Sequence, residues 1–211
     1  MYDFSSLREA VLAGNAAAAD SAARQALDSG AEPLSLVDEA IGPAMAEVGR
    51  RFEVGEYFVP ELLISARATK AVFEVVRPLL AQRGAKPAGR VVLGTVQGDL
   101  HDIGKNLVAA MLEGSGFEVI DLGVNVPPDK FVAAVSDQGA EIVGLSALLT
   151  TTMPGMQTAL ESLRSAGIRD RVKVMIGGAP VTQAFADSIG ADGFGKSATA
   201  AVELARKLVC A

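Results

Sequence analysis

Three features of the sequence predict an α/β protein built as a helical bundle followed by a parallel-sheet domain. Up to about residue 88 the apolar residues recur at helical spacing in an alanine-rich background, and alanine is the strongest helix former. From Arg90 the pattern changes to short β-rich runs alternating with helical segments, as in consecutive βαβ units. Between the two lies GAKPAG at 84–89, whose glycines and proline read as a linker. The expected domains are therefore 1–88 and 89–211.

In the first part, 7–13 and 16–27 read as helices separated near Gly14 and Asn15, the second stopping around Ser29 and Gly30. A third apolar-periodic segment spans 34–48, with Gly42 and Pro43 taken as near its beginning and disturbing its first turn. A polar connection over 49–56 leads into the fourth helix. Pro60 suits its first turn and Pro78 its last turns or exit, while Leu62, Leu63, Ala66, Val72, Phe73, Val76 and Leu79 can line its buried side. Four helices with short connections make a small bundle. Phe52, Tyr57 and Phe58 stand at the loop-to-helix transition, where they either fill the core or cover something bound by the following domain.

In the second part, strands are expected at 90–95, 117–121, 142–145, 173–176 and 193–194, and helices at 103–113, 128–138, 155–166, 182–189 and 199–208. Right-handed crossovers place helices on both faces of the sheet. The strand order 2-1-3-4-5 puts a switch point between strands one and three, and open parallel sheets bind ligands outside the carboxyl ends of the strands at such a point. On that order the loop after strand one faces Ser146 to Thr152, with Gly177 and Gly178 alongside.

The loop after strand one carries His101, the single histidine of the chain, in the pattern D-x-H-x-x-G from Asp99 to Gly104. A carboxylate that accepts a proton from one imidazole nitrogen leaves the other free to coordinate a metal. The alternative is a loop histidine beside an incidental aspartate, since one histidine cannot make an ordinary zinc site. SALLTTT at 146–152 adds four hydroxyls, which either complete a histidine–aspartate network, meet ligand amides, or cap the next helix. Gly177 and Gly178 either admit a bulky ligand close to the backbone or form a simple turn. The glycines from Gly94 to Gly104 fit neither G-x-G-x-x-G nor G-x-x-x-x-G-K-S/T, which argues against a dinucleotide or P-loop site.

Composition narrows the function classes. A net charge of −6 without a Lys/Arg cluster argues against a nucleic-acid partner. Cys210 is the single thiol, so neither an intrachain disulfide nor a cysteine metal cluster can form. The lack of a signal peptide or membrane-length apolar run predicts a cytoplasmic protein with no membrane partner. With no tryptophan and two tyrosines, a large planar ligand would be held by backbone, aliphatic and hydroxyl groups rather than by aromatic stacking.

GDLHDIGKNLV at 98–108 resembles the cobalamin-binding signature of corrinoid proteins, among them methionine synthase and the corrinoid proteins of methyltransferase systems. VGLSALLTTTM at 143–153 and IGGAPVT at 176–182 support the resemblance, and RFEVGEYFVPELLISARA at 51–68 is similar to the helical cap of the same proteins. The resemblance covers nearly the whole chain. It implies a helical cap followed by a flavodoxin-like, Rossmann-like cobalamin-binding domain. It also implies a corrinoid methyl carrier that takes a methyl group on cobalt from a substrate-specific methyltransferase. A second methyltransferase would pass that group to an acceptor such as tetrahydrofolate or a thiol coenzyme, and a reductive activase would be a further partner. Such a carrier does not catalyse transfer alone. A cobalamin-dependent sensor acting through a separate partner is the alternative.

The resemblance also assigns residues. It makes His101 the lower axial cobalt ligand in place of the dimethylbenzimidazole base, the base-off, His-on arrangement, with cobalt cycling between Co(I) and methyl–Co(III). Asp99 would bond the other imidazole nitrogen, and Thr152 stands where methionine synthase has the serine that completes the relay. Ser146 would meet the displaced base and Thr150 the lower corrin side, while Gly104, Gly177 and Gly178 would leave room for the nucleotide tail. Asp102, Ile103 and Leu148 join the cofactor-binding set, and Phe58 would cover the upper face. ADGFGKS at 191–197 resembles the tail-pocket loop but carries Lys196 and Ser197 where a small or apolar residue and an aspartate are often found.

Overall fold

A computed structural model describes residues 2–82, 84 and 87–210. Ala85 and Lys86, within the expected linker, lie outside the described residues. The chain divides into two units of dense internal contact, 1–87 with 113–116 and 88–112 with 117–211.

The helical unit begins with α1 (Ser5–Leu12) and α2 (Ala16–Asp28). Asn15 caps α2 by accepting a hydrogen bond from the Ala18 amide at 3.0 Å, which satisfies one of the free donors of its first turn. α2 buries Ala19, Ala23 and Ala26, and these small residues let it lie against α5 (Val59–Gln82). On α5, Leu62, Ala66, Val72, Phe73 and Val76 are buried as expected, whereas Leu63 is exposed and Leu79 half-buried. At about 3.6 residues per turn Leu62 and Ala66 share a side, and Leu63 lies about 100° round the helix from Leu62.

The third helical segment corrects the expectation. A short α3 (Pro33–Ser35) runs into a π-helical stretch, Leu36–Ile41, and then into α4 (Gly42–Glu53), so Gly42 and Pro43 lie at the middle junction rather than near the start. Pro43 has no N–H, and its ring would strike the Glu39 carbonyl in a regular α-helix. Widening the turn relieves that clash, and the Gly42 amide donates to Val37 O, five residues back. The Glu39 carbonyl accepts instead from Arg8 Nη1 at 3.5 Å.

The α/β unit has a five-stranded parallel sheet in the order β2-β1-β3-β4-β5, as the sequence predicts. Its strands are β1 (Arg90–Thr95), β2 (Glu118–Asp121), β3 (Ile142–Ser146), β4 (Lys173–Gly177) and β5 (Gly193–Phe194). The helices α6 (Ile103–Gly114), α7 (Pro128–Gln138), α8 (Pro154–Ser165), α9 (Gln183–Ile189) and α10 (Ala198–Val209) follow the strands in turn. Val92, Val143, Leu145, Val174 and Ile176 pack with Phe131, Met156, Leu160 and Leu163 into the buried core. The register sets Thr95 opposite Ser146 and Ser146 opposite Gly177, which lines up the carboxyl ends of three strands at one edge. The β1–α6 loop therefore leaves the sheet beside the β3–α8 loop.

Candidate functional site

Asp99 is fully buried, and both of its oxygens are occupied. Oδ1 accepts from the His101 amide at 3.0 Å and lies 2.7 Å from His101 Nδ1. Oδ2 accepts from Thr152 Oγ1 at 2.6 Å and from the Leu148 amide at 2.7 Å. Burial alone pushes the Asp99 carboxyl up, but the Thr152 hydroxyl, the two amides and the imidazole together override it and hold the group well below the usual carboxylate range. A carboxylate held in its ionised form accepts from Nδ1–H, and the neutral tautomer of the half-exposed ring with that hydrogen bond carries its lone pair on Nε2.

Thr152 is the threonine that the network recruits. α8 starts after Met153 with no side-chain cap, so the hydroxyls at 150–152 are not spent on capping that helix. The Thr152 amide donates to Leu149 O at 3.0 Å, and this turn directs Oγ1 to Asp99. The methyl group that threonine adds over serine leaves the hydrogen bond short. Thr150 is exposed.

A cavity of about 660 Å³ opens beside the imidazole. Of the expected site residues, His101, Asp102, Ile103, Gly104, Ser146, Leu148, Gly177 and Gly178 line it, along with Lys196 and Ser197. Asp99, Thr150 and Thr152 do not, so the Asp99–Thr152 pair supports the histidine without forming the cavity wall. The rest of the lining is mostly apolar, including Leu93, Leu107, Val108, Met175, Ile176 and Phe194. Leu100 and Ile103 are 72% and 82% exposed, which leaves large apolar side chains in water before and after His101.

The glycines have different causes. A Cβ on Gly104 would meet nothing within 4 Å, so the residue borders open space. Gly178 has φ +136°, and a Cβ there would come within 1.9 Å of Ala147 O, so its lack of a side chain is required by the neighbouring backbone. Ser197 accepts from the Ala200 amide at 3.1 Å and caps α10.

Lys105 escaped the sequence reading. Its side chain is buried, and Nζ donates to Asp121 Oδ2 at 2.5 Å and to Asn106 Oδ1 at 2.8 Å, which fastens the first turn of α6 to the end of β2. The lysine next to Gly104 was visible, but its partner lies sixteen residues away on another strand. In the helical unit, Tyr57 Oη donates to Leu12 O at 3.1 Å, which makes it a structural tie, and Phe58 is exposed while its amide donates to Glu61 Oε2 at 2.9 Å.

Among the described residues no group of three or more His, Cys, Asp or Glu side chains could hold a metal ion. A metal here would need to bring most of its own ligands, as a macrocycle does, and the site fits such a group. It offers one coordinating nitrogen, a buried anion behind it and an apolar cavity at its side. Among the described residues no helix is long and apolar enough to cross a membrane.

Comparison with known proteins gives a consistent pattern. A model described as a B12 binding domain matches 89–205, and a second model with the same description matches 4–77. Trimethylamine corrinoid protein 1 of Methanosarcina acetivorans is 45% identical over 189 residues, covering 89% of this chain and 88% of its own. A cobalamin-binding protein from Desulfitobacterium hafniense superposes with a TM-score of 0.83 at 33% identity, covering 99% of each chain. A chain of the methanol:cobalamin methyltransferase complex of Methanosarcina barkeri superposes with a TM-score of 0.84 at 30% identity, covering 97% of this chain and 78% of that one.

Proposed function

The chain belongs to the B12-binding corrinoid proteins, and we propose that it carries methyl groups on a bound corrinoid between two methyltransferases. The observation that carries this reading is the buried Asp99, whose Oδ1 lies 2.7 Å from Nδ1 of His101 and so leaves the opposite ring nitrogen free, with His101 lining the 660 Å³ cavity. When bound, the corrinoid supplies cobalt that takes up a methyl group as Co(I) and yields it from methyl–Co(III).

His101 Nε2 would supply the protein's ligand to the cobalt in place of the cofactor's own base, a base-off, His-on arrangement. Asp99 orients the ring through Nδ1, and the Thr152 hydroxyl and the Leu148 amide steady the carboxylate. The cavity receives the nucleotide tail, with Ser146 against the displaced base and Gly104, Gly177 and Gly178 bordering the passage. Thr150 meets the lower corrin side, and Asp102, Ile103 and Leu148 belong to the same cofactor-binding set. Phe58, on a cap formed by 1–88, shields the upper face, while 89–211 holds the cofactor.

The protein is the corrinoid subunit of a methyltransferase system and not a catalyst by itself. Its partners are a substrate-specific methyltransferase, a second methyltransferase serving an acceptor such as tetrahydrofolate or a thiol coenzyme, and a reductive activase. Relatives named trimethylamine and dimethylamine corrinoid proteins make methylamines the donor class to test first.

Protein labelled with 15N-histidine and loaded with cob(II)alamin tests the site. About one corrinoid per chain is expected, with 15N splitting in the paramagnetic resonance spectrum that disappears in His101→Ala. Splitting from the dimethylbenzimidazole nitrogen alone would reject His-on binding.

A further inference from the structure

We propose that Thr95 and Asn125, which lie outside the Asp99–His101–Thr152 network, are positioning residues that set the backbone of the histidine loop. The inference rests on the His-on reading. Thr95 is the last residue of β1 and is fully buried. Its backbone is tied on both sides, the amide donating to Gly123 O at 3.0 Å and the carbonyl accepting from the Val126 amide at 2.9 Å. From that anchor Oγ1 donates to the carbonyl of His101 at 2.9 Å. The His101 amide is held independently by Asp99 Oδ1 at 3.0 Å. The histidine is thereby tied at its amide and at its carbonyl, and Asp99 fixes the ring. Packing alone does not call for a hydroxyl at this position, since the preceding buried side chains of β1, Val91 to Leu93, are apolar and valine has the same shape with equal fitness for a strand.

Asn125 acts on the residues before the histidine. It is the one non-glycine residue with positive φ among those described, at +53°, a conformation that asparagine tolerates better than most side chains. Its Oδ1 accepts from the Gly98 amide at 2.8 Å, and its own amide donates to Asp99 O at 2.9 Å. Glycine would satisfy the backbone angle but would lack the acceptor, so the side chain serves the neighbouring loop. The Thr95 side chain thus places His101 and the Asn125 side chain places Gly98, the residue before Asp99, each from a backbone fixed by the sheet or the loop beside it.

A ligand atom at the tip of an imidazole magnifies any rotation of its backbone, and a site loosened by about 1 Å loses its function. If a variant lowers the fraction of loops in the ligating geometry, the apparent dissociation constant rises by the same factor. Loss of one hydrogen bond of ordinary net strength corresponds to roughly a three- to ten-fold change in that fraction.

The test uses the full chain labelled with 15N-histidine and titrated with cob(II)inamide, a corrinoid with no base of its own. Thr95→Val and Asn125→Gly are each expected to raise Kd roughly three- to ten-fold and to reduce the 15N-split fraction at a fixed concentration. Thr95→Ser and Asn125→Asp retain the donor and the acceptor and are expected to restore both readouts. Thermal melts accompany each variant, and if Thr95→Val fails to fold, Asn125→Gly carries the test because glycine accepts φ +53°. Wild-type affinity and splitting in folded Thr95→Val and Asn125→Gly, even with a lowered Tm, would overturn the inference and leave both residues with a purely structural role. Absence of 15N splitting in the unaltered protein would instead reject His-on binding, and the positioning role with it.

Discussion

Thr152 shows what one hydroxyl does in a dry place. Its proton goes to a carboxylate with no exposed surface, at 2.6 Å. Thr152→Val would keep the shape and leave Asp99 Oδ2 with the Leu148 amide, so a loss of about 1–3 kcal/mol in unfolding free energy is expected. Thr152→Ser should stay within about 1 kcal/mol of the parent protein, because it removes a methyl group and keeps the donor. Urea unfolding of both variants without cofactor checks the pair: a loss in Thr152→Ser as large as in Thr152→Val would mean that the methyl group contributes as much as the hydroxyl, and an unchanged Thr152→Val would mean that the hydroxyl contributes nothing. At this scale the sequence was readable where partners are close along the chain: Asp99 and His101 are two residues apart. Spacing alone does not choose among Thr150, Thr151 and Thr152, because the choice depends on the turn closed by Leu149 O, and it was the resemblance that singled out Thr152. Thr95, Lys105 and Asn125 stayed hidden because an unremarkable residue type acquires its role only from what the sheet places beside it.

At the scale of elements, glycines that look alike in the sequence have opposite tolerance. Gly104 lies in the first turn of α6 and faces open space. Gly104→Ala is expected to stabilise the unloaded protein by up to about 1 kcal/mol, through helix propensity, and to weaken corrinoid binding by taking up space at the cavity. Melting and corrinoid titration together decide this, and unchanged affinity would remove Gly104 from the ligand passage. Gly178→Ala is expected to cost about 2 kcal/mol or more even without cofactor, because its Cβ would collide with Ala147 O and φ is +136°. The strands and their order were legible because βαβ alternation leaves few topologies. The π-helical stretch was not, since Pro43 announces an interruption but not the wider turn that absorbs it. That turn predicts that Pro43→Ala changes stability by less than about 1 kcal/mol, against the roughly 3 kcal/mol that proline costs in an unadapted helix. A larger gain on urea unfolding would show that the strain persists.

For the whole molecule, the carrier reading requires that a methyl group survive between encounters with its partners. Phe58 is 65% exposed on the helical unit, next to Val59 and close to the exposed Val54, which is more apolar surface than folding of that unit requires. Phe58→Ala should therefore leave its stability nearly unchanged while accelerating photolysis or oxidation of the methylated protein at equal occupancy. Equal rates in the two proteins would remove the shielding role. The resemblance at 51–68 made this residue stand out, whereas its hydrophobic character alone fitted a core position equally well. Exposure separates the two readings, and no pattern of spacing reports exposure at a helix start.

The hydrogen bond between Thr152 and Asp99 closes a span of 53 residues, and the bond from the Leu148 amide closes one of 49. During synthesis at about 5–20 residues per second, Thr152 follows Asp99 by roughly 3–10 seconds. Through that interval the nascent loop already contains its histidine, yet the carboxylate behind it lacks half of its partners and the strand that seats them has not been made. On the His-on proposal, a corrinoid supplied to a growing chain would therefore have no finished histidine to find until β3 and the loop after it have left the ribosome.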